Sequence, residues 1–169
     1  MQIDRETLLR QIGHSTLDQL TLNELRLLLC EWLGCAAASP EPAALAVLHG
    51  TVAGDAFHFG LTLTGPAGSQ PVEFVLDTGA FEMLLPASVA SALGLPDLGN
   101  LNISGIGGSS PAYTSQVGFT LGAHAFNEVH CVVDPTFPGP ALFGLRFFID
   151  HGLSLSLDPG AGELTIRQG

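Results

Sequence analysis

The chain has 169 residues, of which 46% are hydrophobic and 12% charged, with 16 Asp and Glu against 5 Arg and no Lys, for a formal net charge of -11. Such a composition forms a core and is not that of a disordered chain, and the length holds one ordinary domain with at most a small appendage. The acidity excludes nucleic acid and anionic membrane surfaces as main partners, because binding phosphates needs clustered cations.

Residues 3–34 read as a helical hairpin. Leu8, Leu9 and Ile12 share one face of a first segment that stops near Gly13. Thr21 and Glu24 fit a capping box, after which Leu22, Leu25, Leu28, Leu29, Trp32 and Leu33 recur at helical spacing up to Gly34. The apolar face suits packing against the main domain or a second copy. Residues 35–44, with Pro40 and Pro42 among small residues, read as a linker, and 45–169 as the main domain. From about residue 45 the period changes to two. Phe57, Phe59, Leu61 and Leu63 alternate with smaller or polar residues, as in a half-buried strand, and 65–69 is a turn cluster. A second strand covers 72–76 and a third 83–85. Pro86 then sits at the first turn of a short helix over 87–93. Further strands are predicted at 100–104, 112–121, 125–133, 153–157 and 163–167, and a short helix at 145–151. Short strands with Gly-rich turns indicate a mainly β fold, a closed barrel or sandwich.

The apolar stretches are too short to span a bilayer, which takes about 20 residues. The first residues lack the basic start, apolar run and cleavage site of a signal peptide, so a cytoplasmic location is expected. Cys30, Cys35 and Cys131 are too few and too odd in number for a disulfide framework and are expected to be reduced.

The chemistry is concentrated at Asp77-Thr78-Gly79-Ala80, where an apolar strand runs into a carboxylate. A lone carboxylate at the edge of a core is costly unless backbone donors hold it. Gly79 allows either a close backbone approach or a positive φ. Held in that way, the carboxylate is poised to bind water. The bland alternative is a turn whose Asp bonds to its own backbone. Two later segments favour the first reading: Ile103-Ser104-Gly105-Ile106-Gly107-Gly108, and Ala141-Leu142-Phe143-Gly144 followed by a helix-like stretch.

In these three segments, and in their order, the chain resembles the retropepsin-like aspartic proteases, the retroviral proteases among them. The resemblance covers about Leu45 to Arg167 and has no counterpart for 1–34. It implies a retropepsin-like barrel with Asp77, Thr78 and Gly79 in the catalytic loop and Thr78 bracing two such loops. It also implies Ala80, Phe81, Gly105, Ile106, Gly107 and Phe143 along the substrate, with the glycine-rich segment as flap tip. No metal or other cofactor is implied. An aspartic peptidase needs two carboxylates sharing one proton. This chain has one such loop, so the resemblance implies a homodimer acting on a peptide or protein substrate, one Asp77 from each subunit.

The sequence also departs from the family pattern. Phe81 and Glu82 follow where many relatives have a small or acidic residue. In retroviral members an arginine directly after the later glycine pairs with an acid near the catalytic loop; here Leu145 holds that place and Arg146 comes one later. Arg146 is expected to pair with Glu82 or another acid. The terminal dimer sheet of the family is put in doubt by the helical start, although Glu163–Arg167 remains available as a strand for it. These departures keep open a second reading, a catalytically inactive dimerisation or peptide-binding module on the same fold. A zinc site is not indicated, since the histidines lack ligand spacing and adjacent His130 and Cys131 would face opposite ways in a strand. A dinucleotide loop fails because Pro111 stands where a helix should propagate, and a phosphotransfer aspartate because Gly79 stands where a second acid belongs.

Overall fold

The computed structural model describes residues 43–105 and 108–169. The expected helical hairpin over 3–34 and most of the linker lie outside the described residues, as do Cys30, Cys35, Ile106 and Gly107. Ten strands follow in order: β1 (Ala44–Ala53), β2 (Ala56–Gly65), β3 (Gly68–Leu76), β4 (Leu84–Pro86), β5 (Gly99–Gly105), β6 (Gly108–Leu121), β7 (His124–Asp134), β8 (Ala141–Phe143), β9 (Leu153–Asp158) and β10 (Glu163–Gln168). Two short helices interrupt them, α1 (Ala87–Leu93) between β4 and β5 and α2 (Arg146–Asp150) after β8. Among the described residues no helix is long and apolar enough to cross a membrane.

The strand order is β5-β6-β7-β4-β8-β3-β2-β1-β10-β9, and β6 also pairs with β2 at Leu63↔Phe119 and Thr64↔Gly118. That extra pairing closes a ring of six strands, so of the two mainly β forms expected, barrel or sandwich, the chain adopts the closed barrel. In β2 the alternation is strict: Phe57, Phe59, Leu61 and Leu63 are buried while Gly60, Thr62 and Thr64 are exposed. In β7 the last four residues, Cys131 to Asp134, are all buried, because β6 and β4 flank the strand on its two sides.

Two connections are parallel. β3 runs beside β8 with Phe74↔Ala141, Val75↔Leu142 and Leu76↔Phe143, and β4 runs beside β7 with Leu84↔Val132 and Leu85↔Val133. Phe143 lies at the centre of the core, its ring within 5.4–5.9 Å of those of Phe59, Phe74, Phe119, Phe147 and Phe148. Edge-on and tilted pairs of this kind add to what burial alone contributes.

The strands at 56–65, 99–105, 108–121, 124–134, 153–158 and 163–168 and both helices fall within a few residues of the expected positions. Three details differ. β1 and β8 were not expected as strands. β8 is three residues long, too short to show a period. Pro86 precedes α1 in extended conformation (φ -65°, ψ 152°) and is not its first turn. Glu163–Arg167 is not free to join a partner's sheet, because β10 is paired on both sides, with β1 and with β9.

Two buried groups carry consequences for titration. Cys131 is a free thiol, fully buried, and burial together with the nearby Glu82 charge pushes it up to about 12. Its thiolate is therefore scarce at neutral pH, and alkylation at Cys131 by iodoacetamide at pH 8 is expected only after unfolding, as read by site-resolved mass spectrometry. Burial alone would raise the Asp134 carboxyl. Hydrogen bonds from the Thr136 backbone and hydroxyl, the Ser110 hydroxyl and the Phe137 backbone outweigh it and hold the group below its ordinary value. A depressed folded value stabilises above the unfolded pKa of ~3.9, and that stability is lost as pH falls through the folded value. Asp134→Asn should therefore cost about 2 kcal/mol at pH 7 in urea unfolding, with the gap to wild type narrowing below about pH 4.

Candidate active site

Asp77 is the first residue beyond β3, and the parallel neighbour β8 ends beside it. The Asp77 N–H donates to the Phe143 carbonyl (3.2 Å), which continues the ladder by one step into the loop. The chain then turns, with the Ala80 N–H donating to the Asp77 carbonyl (3.2 Å). Two backbone N–H groups reach the carboxylate, from Gly79 (2.9 Å) and Ala80 (3.1 Å), and both fall on Oδ1. The carboxylate is thus oriented by the loop that carries it. Asp77 is half-buried, and Thr78 and Gly79 are exposed. Gly79 does not adopt a positive φ. A Cβ there would stand 3.2 Å from Asp77 Oδ1, so close approach is the relevant reason for glycine.

The far side of the loop rests on the chain after β8. The Leu145 N–H donates to the Ala80 carbonyl (3.1 Å) and the Arg146 N–H to the Phe81 carbonyl (2.8 Å). Gly144 is buried between them, and a Cβ there would run into the backbone of Glu82 and stand 2.7 Å from the Phe81 carbonyl oxygen. Only glycine lets the two segments lie this close.

Side chains reinforce the same contact. Arg146 Nη1 donates to Glu82 Oε1 (2.9 Å) and Arg146 Nε to Asp150 Oδ2 (3.0 Å), so the expected pairing of Arg146 with Glu82 is present. Bonds to Asp150 and then to Glu82 push the guanidinium further up, keeping it cationic. Its centre lies 5.7 Å from the Phe81 ring centroid, a cation–π distance. His130 Nδ1 lies 3.1 Å from the other Glu82 oxygen, Oε2. Glu82 thus ties the loop exit to α2 with one oxygen and to β7 with the other. His130 and Cys131 do face opposite ways, one toward Glu82 and the other into the core.

Of the residues expected along the substrate, Ala80 and Phe81 lie in this loop, and Phe81 is exposed. Gly105 and Gly108 pair at the end of the β5–β6 hairpin and are exposed. Phe143, by contrast, does not reach the surface: its side chain is 1% exposed and forms the hub of the aromatic core, because β8 lies in the barrel wall beneath the loop. The structure also shows participants that sequence reasoning passed over: His130, Asp150, and the trio Ser110, Asp134 and Thr136. Asp-Pro-Thr at 134–136 carries an Asx-turn signature that would have pointed to the last of these. A cavity of about 390 Å³ between Leu45, His124, His151 and Gln168 shares no lining residue with the Asp77 loop.

A carboxylate thus stands at the end of a barrel strand, fixed by its own loop and braced on a glycine-bearing segment. The family described as aspartyl protease matches residues 61–147, just over half of the chain. The chain belongs to this aspartyl protease family, and its fold is retropepsin-like. Among solved structures it is similar to a retropepsin-like aspartic protease from Rickettsia conorii, at 17% identity and TM-score 0.50, over 77% of this chain and 94% of that one. This likeness shows a shared fold. The chain is also similar to EIAV protease in complex with the inhibitor HBY-793, at 19% identity and TM-score 0.44, over 58% of this chain and 91% of that one. Among curated proteins none matches the chain in sequence.

The tight contact at Gly144 is directly testable. Gly144→Ala is expected to lower stability by about 1–3 kcal/mol in urea unfolding, since the carbonyl groups it meets belong to the backbone and cannot swing aside. An unchanged midpoint would show that the loop has room the structure denies it.

Proposed function

We propose that the protein is a homodimeric aspartic endopeptidase with one Asp77 from each subunit. The observation that carries this reading is the Asp77 carboxylate, held on Oδ1 by the Gly79 and Ala80 N–H groups in a family whose chemistry is peptide-bond hydrolysis. The sequence contains one Asp-Thr-Gly loop, and the reaction needs two carboxylates. In the dimer the two Asp77 groups share one proton and one water. The ionised carboxylate takes a proton from the water as its oxygen attacks the scissile carbonyl carbon. The protonated one donates to the carbonyl oxygen. Collapse of the tetrahedral diol returns a proton to the leaving nitrogen and breaks the C–N bond. Thr78, exposed on the loop, is the residue assigned to brace the two loops, and Gly79, Ala80 and Phe81 border the substrate. Residues 45–169 form the catalytic domain in this reading. Sparse cysteines, with Cys131 a free thiol, support a cytoplasmic location.

The rival reading is a non-catalytic dimerisation or peptide-binding module, favoured by the exposed Phe81 beside the catalytic loop. The Arg146–Glu82 pair weakens it, since the brace is retained despite Leu145.

The deciding experiment is cleavage of an unfolded protein by wild type and by Asp77→Asn. Wild type should cleave, faster at acid than at alkaline pH because the dyad must keep one proton, and Asp77→Asn should lose roughly 1,000-fold in kcat while remaining a dimer in sedimentation. A folded wild-type dimer inert from pH 3 to 7 would favour the module.

A further inference from the structure

The β5–β6 hairpin leaves the barrel part-way along its length. The β6–β7 ladder runs up to Tyr113↔Val133 and goes no further, whereas β6 stays paired with β5 out to Gly105↔Gly108. Beyond Tyr113, β5 and the stretch Gly108–Ala112 of β6 therefore form an arm that backbone pairing alone does not fix to the rest of the barrel. Ser110 lies in that arm, opposite Ile103. Its hydroxyl donates to Asp134 Oδ1 (3.1 Å) and lies 3.0 Å from Thr136 Oγ1. Asp134 is the last residue of β7, and its carboxylate is buried. The same Oδ1 accepts the Thr136 N–H (2.7 Å) and the Thr136 hydroxyl (2.8 Å). A side-chain joint thus takes over where the ladder stops. The segment it grips, 134–140, runs directly into β8, the strand on which Asp77 rests.

We propose that Ser110, through Asp134 and Thr136, is a positioning residue that sets the β5–β6 arm against the segment feeding β8 and so aligns the arm with the Asp77 loop for substrate binding. This rests on the peptidase reading above for its consequence, but not for the joint itself. The joint suits an acid-working enzyme. A carboxylate with three donors on one oxygen holds its charge to lower pH than a free one, so the anchor outlasts ordinary carboxylates as pH falls. Ser110 touches neither the Asp77 carboxylate nor its loop bonds, so its loss should act on binding more than on the chemical step.

The test uses the full chain with Ser110→Ala, Thr136→Val and Ser110→Thr, read by amide hydrogen exchange and by peptide cleavage. Removing one hydrogen bond to a charged group should speed exchange in 99–105 and 108–112 by about 10-fold, with exchange in β2 and β3 unchanged. In Ser110→Ala, KM should rise by about 5- to 10-fold with kcat within about 2-fold of wild type. Thr136→Val should loosen the arm in the same direction, and Ser110→Thr, which keeps the hydroxyl, should restore both readouts. Unchanged arm exchange in Ser110→Ala would overturn the joint. So would faster exchange spread evenly over the barrel. Looser arm exchange with unchanged KM would overturn its role in substrate binding. If wild type cleaves nothing, the peptidase reading fails, and arm exchange alone still decides whether the joint exists.

Discussion

The structure turns on the parallel pairing of β3 with β8. Parallel neighbours end at the same edge, so the residue that follows each strand emerges beside the other's exit. Asp77 follows one and Gly144 the other. The Asp77 N–H extends the ladder by donating to the Phe143 carbonyl, and the two chains then stay in contact through the bonds of Leu145 and Arg146 to the loop carbonyls. Everything that orients the carboxylate is downstream of this. The loop can curl its own N–H groups onto Oδ1 only because its back is supported, and the support can come so close only because Gly144 has no side chain.

Beneath this contact the core is aromatic. Phe143 meets five other phenyl rings, two of them from α2, so the strand that carries the loop is locked to the helix that follows it. Aromatic rings are large and have few rotamers, and a cluster of them resists the small shifts that would misplace a carboxylate. The burial of Phe143 is therefore informative about the loop above it. It makes the floor rigid, while Thr78, Gly79 and Phe81 stand exposed on the loop.

Much of this was legible in the sequence. Period-two alternation gave β2 its facing, Phe57 to Leu63 inward, and the order of the Asp-Thr-Gly, Gly-rich and apolar-Gly segments carried the family. What could not be read was pairing. β10 has the same alternation whether it is an edge or a centre strand, and only the structure shows β1 and β9 on its two sides. Phe143 looked like a cleft residue because sequence position places it near the loop, while the direction of its side chain depends on the short strand β8. Asp134 and Ser110, 24 residues apart, are joined by the geometry of an antiparallel pair running out, which no local pattern encodes.

The displaced arginine shows how the brace survives a shift in register. In the retroviral pattern the cation follows the glycine directly. Here Leu145 takes that position, and its N–H still bonds the loop at Ala80. Arg146 then stands one residue further along, on the first turn of α2, and its N–H bonds Phe81. The acid it needs must lie correspondingly further along the loop, and Glu82, next after Phe81, meets it at 2.9 Å. Its second oxygen, Oε2, is met by His130 Nδ1 on β7 at 3.1 Å. The backbone bonds fix which residues face each other, and the charges follow that register. Phe81 is carried outward between the two bonded carbonyls, which is why a large apolar side chain is exposed on the Asp77 loop and under the guanidinium of Arg146.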